Sequence, residues 1–363
     1  MKTMLLSKED CRAIARHAGL DVLMDELIDR LTRAIDEYDP QRTSVLARDG
    51  FHYHNPYHGL LEWMPVMQVG DTATVKVVGY HPANPTVKGL PTILSTISNY
   101  DVTTGHLVGL VDGTFLTALR TAAASAVATR VLAKSGSDTV GMIGCGAQAV
   151  SQLHALSRVM SIDRVLFHDR DPKVAATFAE RASVGGRVSA RFDQTATAAL
   201  VSTSDVLCTT TSVAIGEGPV FEDRDLRAWV HVNAVGSDFS GKFELPRSLL
   251  ERSLVVPDCR EQAQREGECQ QLPPDRIDTD LVALIQQRER FVGSRDKSSV
   301  FDSTGWAYED HVVMQLFLDH AREMGVGTAI EIESHTDDPH DPYDFIVSGA
   351  KSEVGSRESE VRS

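Results

Sequence analysis

The chain has 363 residues, with 36 Lys and Arg against 51 Asp and Glu, which gives a formal net charge of −15. A protein that neutralises phosphates needs a positive face, so this charge excludes a polyanionic partner such as a nucleic acid or an anionic membrane surface. With 42% hydrophobic and 24% charged residues, the composition is that of a folded globular protein. A chain of this length usually forms about two domains.

The cysteines and the amino terminus indicate the cellular compartment. The five cysteines are widely spaced and include no Cys-x-x-Cys pair, which predicts neither a disulfide framework nor a zinc knuckle. The first residues lack the apolar run of a signal peptide, and no later stretch is long enough to span a membrane. We therefore expect a cytoplasmic protein with reduced thiols.

The first third of the chain predicts two helices followed by a sheet. Ser7 and Asp10 have the spacing of a capping box, and from Asp21 onward apolar residues recur every four positions, as on a core-facing helix. Short strands are predicted over residues 60–64, 72–80, 92–100 and 106–111. The alanine-rich stretch 114–133 has no Gly or Pro and predicts one long helix.

The remainder alternates strands with helices. Strands are predicted over residues 139–143, 164–168, 205–210, 230–234 and 254–256, which is typical of a parallel, doubly wound sheet. A helix over 306–324 and a strand over 328–332 follow. Residues 334–363 are rich in Asp, His, Pro, Ser and Glu and are predicted to form an acidic, mobile tail.

A glycine motif stands between the first of these strands and the next helix. Gly144 permits a tight turn, Gly146 lets the backbone approach a pyrophosphate, and the small Ala149 lets helix and strand pack closely. Asp169, at the end of the following strand, is placed to bind ribose hydroxyls, which favours NAD over NADP, although Arg170 beside it could partly tolerate a 2′-phosphate. The alternative is a packing turn without a ligand. The context predicts a Rossmann-type NAD site.

Six segments are similar, in the same order, to signature segments of the ornithine cyclodeaminase/mu-crystallin family: residues 117–123, 144–148, 232–238, 241–245, 265–268 and 301–305. Residues 62–65, 78–85 and 268–271, with the acidic stretch near Tyr343, resemble the lysine cyclodeaminases of that family, which make L-pipecolate for natural-product biosynthesis. The resemblance implies a recycled NAD+. Hydride leaves the α-carbon of a diamino acid, the distal amine attacks the resulting imine, ammonia departs, and the hydride returns.

The same resemblance implies roles for individual residues. Lys76 and Arg120 would bind the substrate carboxylate, with Arg42 as the third cation and Arg48 as its alternative. Asp238 would take and return protons at the α-amine, and Glu62 would hold and deprotonate the distal ammonium. Thr304 is a further expected substrate neighbour. The implied NAD contacts are Thr92, Arg120, Gly144, Gly146, Ala147, Gln148, Asp169, Thr211, Val232, Asn233, Ala234, Val235, Lys242 and Ser303.

Several of these residues also have an alternative interpretation without a role in the site. A strand lysine such as Lys76 is more often a surface residue, and Lys242 has the same alternative. His52, His54 and His58 suggest a metal, but a polar loop of histidines is more often solvated, so no metal site is predicted.

The implied architecture is a Rossmann-type doubly wound NAD-binding domain over residues 121–301 plus a discontinuous α+β domain. The latter, residues 1–120 with 302–333, would bind substrate and form a homodimer. The expected substrate is L-lysine. The alternatives are an ornithine cyclodeaminase, an NAD(P)H-dependent ketimine reductase or amino-acid dehydrogenase, and a cofactor-binding protein without turnover.

Overall fold

The computed structural model describes residues 1–346, so the part of the predicted tail from residue 347 onward lies outside the described residues. The first elements are β1 (Thr3–Leu6), α1 (Lys8–Ala18), α2 (Leu20–Asp36), β2 (Thr43–Val45), β3 (Asp49–Tyr53), β4 (Gly59–Gln68), β5 (Thr72–Tyr80), α3 (Asn84–Val87), β6 (Ile93–Asp101), β7 (Leu107–Asp112) and α4 (Gly113–Leu132).

The middle elements are β8 (Thr139–Ile143), α5 (Ala147–Ser157), β9 (Arg164–His168), α6 (Pro172–Ala176), α7 (Phe178–Ser183), β10 (Arg191–Gln194), α8 (Thr197–Thr203), β11 (Val206–Thr209) and β12 (His231–Ala234). The last are α9 (Arg247–Arg252), β13 (Leu254–Pro257), α10 (Arg260–Ala263), α11 (Leu281–Gln286), β14 (Ser299–Asp302), α12 (Ala307–Met324) and β15 (Thr328–Ile330). 3₁₀ helices cover Val184–Gly186, Glu268–Gln271, Pro274–Arg276 and Arg288–Asp296.

The first two helices form as their sequence predicts. Ser7 and Asp10 cap α1 reciprocally, and Gly19, with φ of 83°, ends that helix. The four-residue apolar repeat of α2 is fully buried, and the residues of this repeat are Leu23, Leu27, Leu31 and Ile35. Because α2 packs against α4 and α12, this stripe fills the core on one side of the first sheet.

The first sheet has eight strands and is mixed. Its order is β15-β1-β7-β6-β5-β4-β2, with β3 also paired to β4. β1 runs parallel to β7, and the other pairs are antiparallel. Side chains alternate across such strands, so β4 and β5 present one set inward and another outward. The inward set lies under α12, and α4 packs on the neighbouring β6.

The second sheet has seven strands, and all are parallel. Its order is β10-β9-β8-β11-β12-β14-β13, which confirms the predicted doubly wound fold. The chain reverses direction across the sheet on either side of β8, so the carboxyl ends of β8 and β11 border the crevice where ligands of such sheets bind. The predicted bounds of β8 and β9 agree with the structure.

Helix α4 connects the two sheets. Near its start, Thr114 and Thr117 hydrogen-bond Ser95 of β6. Near its end, the Thr129 hydroxyl bonds Asn233 and His231 of β12. Both ends therefore contact a sheet, which is why α4 is buried almost throughout and carries alanine where other helices carry polar residues.

Candidate active site

A cleft lies between the inner face of the mixed sheet and the carboxyl ends of the parallel strands. Its cavity volume is about 80 Å³. Alternate residues of β4 and β5 line one side, α4 lines the floor, and segments that follow β12 and β14 line the other side. Parallel strands thus contribute loops and the mixed sheet contributes strand side chains to a single site.

Lys76 projects from β5 into this cleft and is 1% exposed, so the surface-lysine interpretation does not apply. Its Nζ lies 2.8 Å from Asp310 Oδ2 at the start of α12. Burial lowers the pKa of Lys76 to about 8, and the nearby Arg120 adds to this effect while Asp310 opposes it. A bound anion would favour the charged ammonium.

Arg120 lies beside Lys76 and is also buried. Its Nη1 donates to Glu309 Oε2 at 2.9 Å and its Nε to Asp310 Oδ1 at 3.0 Å. Burial raises the pKa of Glu309, although the paired Arg120 acts in the opposite direction and favours the carboxylate. The sequence predicts that Arg120 needs a buried or ligand-supplied partner, and α12 provides two carboxylates that sequence reasoning did not identify.

The third predicted cation, Arg42, is not in the cleft. Its side chain is exposed, and the adjacent β2 pairs with the far end of β4, where Thr43 lies opposite Gln68. Strand geometry places that position about 20 Å from Glu62, which lies six residues along β4. Arg48, the alternative, occupies the cleft instead: its Nη2 donates to the Asp238 carbonyl at 2.6 Å. The structure therefore places Arg48, and not Arg42, in the cleft.

Three carboxyl groups gather around Arg48. Its Nε lies 2.5 Å from Glu266 Oε1 and 3.5 Å from Glu62 Oε2. Burial raises the pKa of Glu266 to about 7; Arg48 opposes the rise, whereas Glu62 and Asp238 add to it. Glu266 was not identified from the sequence, although it lies within the similar segment 265–268. The cleft therefore has a cationic end at Lys76 and an acidic end here.

Asp238 and Lys242 form a pair on the loop after β12. Lys242 is 4% exposed, and its Nζ donates to Asp238 Oδ1 at 2.9 Å and to the Tyr80 hydroxyl at 3.4 Å. Burial alone lowers the pKa of Lys242, but Asp238 and Tyr80 outweigh it and raise the pKa. Lys242 is accordingly a buried, charged residue, and the surface-lysine alternative does not apply.

The glycine turn has the shape that a dinucleotide requires. Gly144 has φ of 88°, and a Cβ there would lie 2.8 Å from the Thr210 carbonyl oxygen. A Cβ at Gly146 would meet no atom within 4 Å, so open space lies beside the amino terminus of α5. Asp169 accepts the Cys145 N–H at 2.7 Å and is partly exposed. These residues fit a bound NAD.

The other predicted cofactor contacts differ in their access to the cleft. Gln148, Val235 and Ser303 line it, and the Ser303 hydroxyl is buried without a hydrogen-bond partner among the described residues. Thr211 is engaged elsewhere, since its hydroxyl lies 2.6 Å from Glu244 Oε1. The remaining positions are Thr92, just before β6; Ala147, the first residue of α5; and Val232, Asn233 and Ala234, all within β12.

Thr304 lines the cleft, but its hydroxyl is already engaged. Thr304 Oγ1 donates to Asp258 Oδ1 at 2.8 Å and accepts from Gln262 Nε2 at 2.9 Å. The Thr304 carbonyl accepts from Arg48 Nη1 at 3.1 Å. This residue therefore fixes the wall of the cleft through both its backbone and its side chain.

The chain matches the profile of the ornithine cyclodeaminase/mu-crystallin family over residues 11–325. The chain belongs to this family. It is 40% identical over 350 residues to the L-lysine cyclodeaminase of Streptomyces rapamycinicus, covering 94% of this chain and 99% of that protein. It is 33% identical over 293 residues to the ornithine cyclodeaminase of Brucella abortus, covering 80% of this chain and 79% of that protein.

Two solved structures superpose on almost the whole chain. One is a lysine cyclodeaminase studied for its recognition of L-lysine, L-ornithine and L-2,4-diaminobutyric acid. It superposes with a TM-score of 0.91 at 47% identity, covering 95% of this chain and 100% of that one. An archaeal alanine dehydrogenase dimer with bound NAD superposes with a TM-score of 0.81 at 30% identity, covering 92% of this chain and 100% of that one.

Other features of the described residues lie outside the cleft. A groove along α2 is lined mainly by charged residues, including Asp25, Arg30 and Arg33, and lies away from the glycine turn. Among residues 1–346, no cluster of three or more His, Cys, Asp or Glu side chains has a geometry that could hold a metal ion. His52 lies on β3 and not in a polar loop, which corrects its predicted position. No helix in the described part is long and apolar enough to cross a membrane.

Gly50 makes room for the acidic end of the cleft. It lies directly opposite Glu62 in the β3–β4 pair, and a Cβ there would lie 2.7 Å from Glu62 Cγ. We predict that Gly50→Ala lowers the free energy of unfolding by about 1–3 kcal/mol, because strand and side chain must move apart. Urea unfolding measures this change. Gly293→Ala is the control, since a Cβ there meets nothing within 4 Å; equal stability of both variants would contradict this packing.

Proposed function

We propose that this chain is a lysine cyclodeaminase that converts L-lysine to L-pipecolate and ammonia with NAD+ as a recycled cofactor. The observation that carries the proposal is a single cleft with cations at one end, carboxyl groups at the other, and a glycine turn at its border. This arrangement complements a substrate with one carboxylate and two ammonium groups. The similarity to the Streptomyces rapamycinicus and solved lysine cyclodeaminases supports the same substrate.

In this proposal Lys76 and Arg120 bind the α-carboxylate at the cationic end. Arg48, which lies at the acidic end but near enough to lower the pKa of Lys76, is the third cation. The planar guanidinium of Arg120 is held by Glu309 and Asp310, so its orientation is fixed before substrate arrives. The Lys76 ammonium has three donors, and Asp310 engages it from one side only. Pre-oriented donors of this kind lower the entropic cost of binding.

At the acidic end, the carboxyl groups contact the two amines. Asp238 lies just beyond the carboxyl end of β12. It takes a proton from the α-ammonium and later protonates the departing amine. Glu62 accepts a proton from the distal ammonium, which must be neutral before it attacks. Glu266, which pairs with Arg48, adds a third carboxyl group to hold the distal ammonium. Overall, the lysine cation becomes the pipecolate zwitterion and an ammonium ion.

NAD would be held by the backbone at Gly144, Gly146 and Ala147, by Asp169 at the adenosine ribose, and by Val235 and Ser303 beside the cleft. When bound, NAD+ takes the hydride from the α-carbon and later returns it to the cyclic imine. Lys242 is placed by Asp238 to contact the carboxamide of the nicotinamide. The carboxylate of Asp169 repels a 2′-phosphate, which favours NAD over NADP.

The outer face of the mixed sheet supports a homodimer. Phe51 and Trp63 contact each other there, with ring centroids 5.7 Å apart. The face carries a contiguous set of exposed apolar side chains, namely Phe51, Leu61, Trp63, Met67, Val77 and Leu94. A patch of this kind marks an association surface, and the similar archaeal alanine dehydrogenase is a dimer. We propose that two copies pair through this face.

The division of the chain follows from the same proposal. Residues 1–120 and 302–333 form the substrate-binding and dimerisation domain, and residues 121–301 form the NAD-binding domain. The boundary at residue 121 falls inside α4, which contacts both sheets. Cytoplasmic location and use of L-pipecolate in natural-product biosynthesis stay predictions of the family resemblance.

Turnover with limiting cofactor tests the function. Purified protein is incubated with L-lysine and substoichiometric NAD+, and pipecolate, ammonia and NADH are measured. We expect many turnovers per NAD+ without accumulation of NADH. Product capped at the amount of NAD+ would indicate a net dehydrogenase instead. L-Ornithine is assayed in parallel, because one methylene is worth only about 1–3 kcal/mol; proline from ornithine without pipecolate from lysine would refute the substrate assignment.

Asp238→Asn tests the proton transfer at the α-amine. The amide keeps the shape and a contact to Lys242 but carries no proton to the substrate. We expect kcat to fall by about 10²–10⁴-fold, with NAD+ affinity nearly unchanged. Asp275→Asn, at an exposed position, is the matched control. A near-normal kcat in Asp238→Asn would contradict the assigned role.

The lowered pKa of Lys76 leads us to predict that substrate binding depends on pH. Its pKa of about 8 means that the ammonium is present below that pH and lost above it. Since only the ammonium attracts the carboxylate, kcat/KM for L-lysine should decline above about pH 8 as this group of the free enzyme titrates. In Lys76→Arg the charge persists, so the decline should move to higher pH, while titration of the substrate amines is common to both enzymes. Superimposable profiles would contradict the role of Lys76.

Light scattering tests the dimer. We expect the wild-type chain to elute with twice the monomer mass, and Phe51→Glu or Trp63→Glu to shift it toward monomer, because a charge would be buried in an apolar interface. Val292→Glu introduces the same charge at a position that is 52% exposed and distant in sequence from the patch. A dimer that persists in both patch variants would place the interface elsewhere.

A further inference from the structure

His52 contacts the acidic end of the cleft from the solvent side. It lies on β3 opposite Leu60 of β4. Because Glu62 is two residues beyond Leu60 on β4, the His52 ring and the Glu62 side chain share the inner face of the sheet. His52 Nε2 lies 3.0 Å from Glu62 Oε1. The side chain of His52 is 43% exposed, whereas that of Glu62 is 4% exposed. One ring nitrogen thus meets a buried carboxylate while the ring itself reaches water.

The contacts on Glu62 fall on its two oxygens separately. Arg48 approaches Oε2 from within the cleft, at 3.5 Å, and His52 approaches Oε1 from outside. Gly50, opposite Glu62, has no side chain that would separate the two partners. The carboxylate therefore has a guanidinium on one side and, on the other, an imidazole whose two ring nitrogens can accept and donate protons.

The ring of His52 is also held in place. It packs against Phe239, with centroids 4.8 Å apart, and Phe239 directly follows Asp238. The charged or titratable groups facing this pair are Arg48, Glu266 and Asp238 on the cleft side and His54, His58 and Lys242 at the mouth. His54 and His58 contact each other, with their Nδ1 atoms 3.3 Å apart.

The proposed reaction requires a proton to leave Glu62. Each turnover delivers a proton from the distal ammonium to this carboxylate, and Glu62 must be deprotonated again before the next substrate binds. With 4% of its side chain exposed, Glu62 has little direct contact with water. Its proton would otherwise have to cross the occupied cleft.

We propose that His52 is the proton relay between Glu62 and solvent, an inference that rests on the proposed function of Glu62. Protonated Glu62 donates from Oε1 to Nε2 of neutral His52, and the Nδ1 proton passes to water. Proton exchange of the exposed ring with water then restores the Nδ1–H tautomer for the next turnover. The carboxylate is then regenerated, and the proton joins the released ammonia in solution as ammonium. No other reactant is needed, because a single proton moves from substrate to solvent. His52 is a positioning and relay residue and does not touch the substrate.

Paired substitutions distinguish a relay from a hydrogen-bonded support. His52→Gln introduces an amide that can hydrogen-bond Glu62 but cannot relay a proton. His52→Ala leaves a space for added imidazole. We expect both variants to lose about a hundredfold in kcat with NAD+ affinity unchanged, and imidazole to restore the rate of His52→Ala in proportion to its basic form. His54→Gln, which removes a neighbouring imidazole without contact to Glu62, should retain the wild-type rate.

The outcomes separate this proposal from the function itself. If wild-type protein cycles L-lysine or L-ornithine and His52→Gln does so at the same rate, the relay is overturned and the function stands. If His52→Ala binds NAD+ normally but imidazole has no effect, the relay is also overturned. Restored turnover in His52→Ala, but not in Glu62→Gln, supports it, because only the former keeps the carboxylate that imidazole must deprotonate. A wild-type protein that turns over neither diamino acid overturns both proposals.

Discussion

The ion pairs between the start of α12 and the two cations Lys76 and Arg120 are the contacts on which the site depends. All four side chains are buried, and removing charges from water costs several kcal/mol for each ion unless they are well paired. Glu309 and Asp310 meet that requirement at distances of 2.8–3.0 Å. Because the cations lie on β5 and α4, these pairs join the returning end of the chain to its beginning.

The same pairs explain how a strongly acidic protein offers a positive end to a substrate. The overall charge of −15 is spread over the surface, whereas the cleft is organised locally. Two carboxylates hold the cations in fixed positions, and the acidic end is arranged around a third cation, Arg48. Charge separation within one cleft, and not net charge, is what matches a diamino acid.

Local patterns in the sequence predicted much of the fold. The strands at residues 72–80, 139–143 and 164–168 have the predicted bounds, and the capping box of α1 is present. β1 was missed because its four residues become a strand only by lying between β7 and β15, which are remote in sequence. β2, β3 and β10 are similarly short, so periodicity carries little signal for them.

The site was less predictable because it depends on contacts between distant segments. Lys76, Arg120, Glu62 and Asp238 do converge on one cleft, as the family resemblance implies. The choice between Arg42 and Arg48 required the register of β2 and β3 on β4, which residue spacing alone does not define. Glu266 and Asp310 stand in segments whose neighbours across the cleft become apparent only once the chain is folded.

Helix α4 has a consequence for how the cleft can open. It is an uninterrupted helix of 20 residues, about 30 Å long, with hydrogen bonds to a different sheet near each end. Such a helix acts as a strut, since bending it would break internal hydrogen bonds in a segment where no water can replace them. The two sheets therefore share one stiff element. We expect substrate and cofactor to enter past the loops at the rim of the cleft, such as those that carry Gly146 and Phe239.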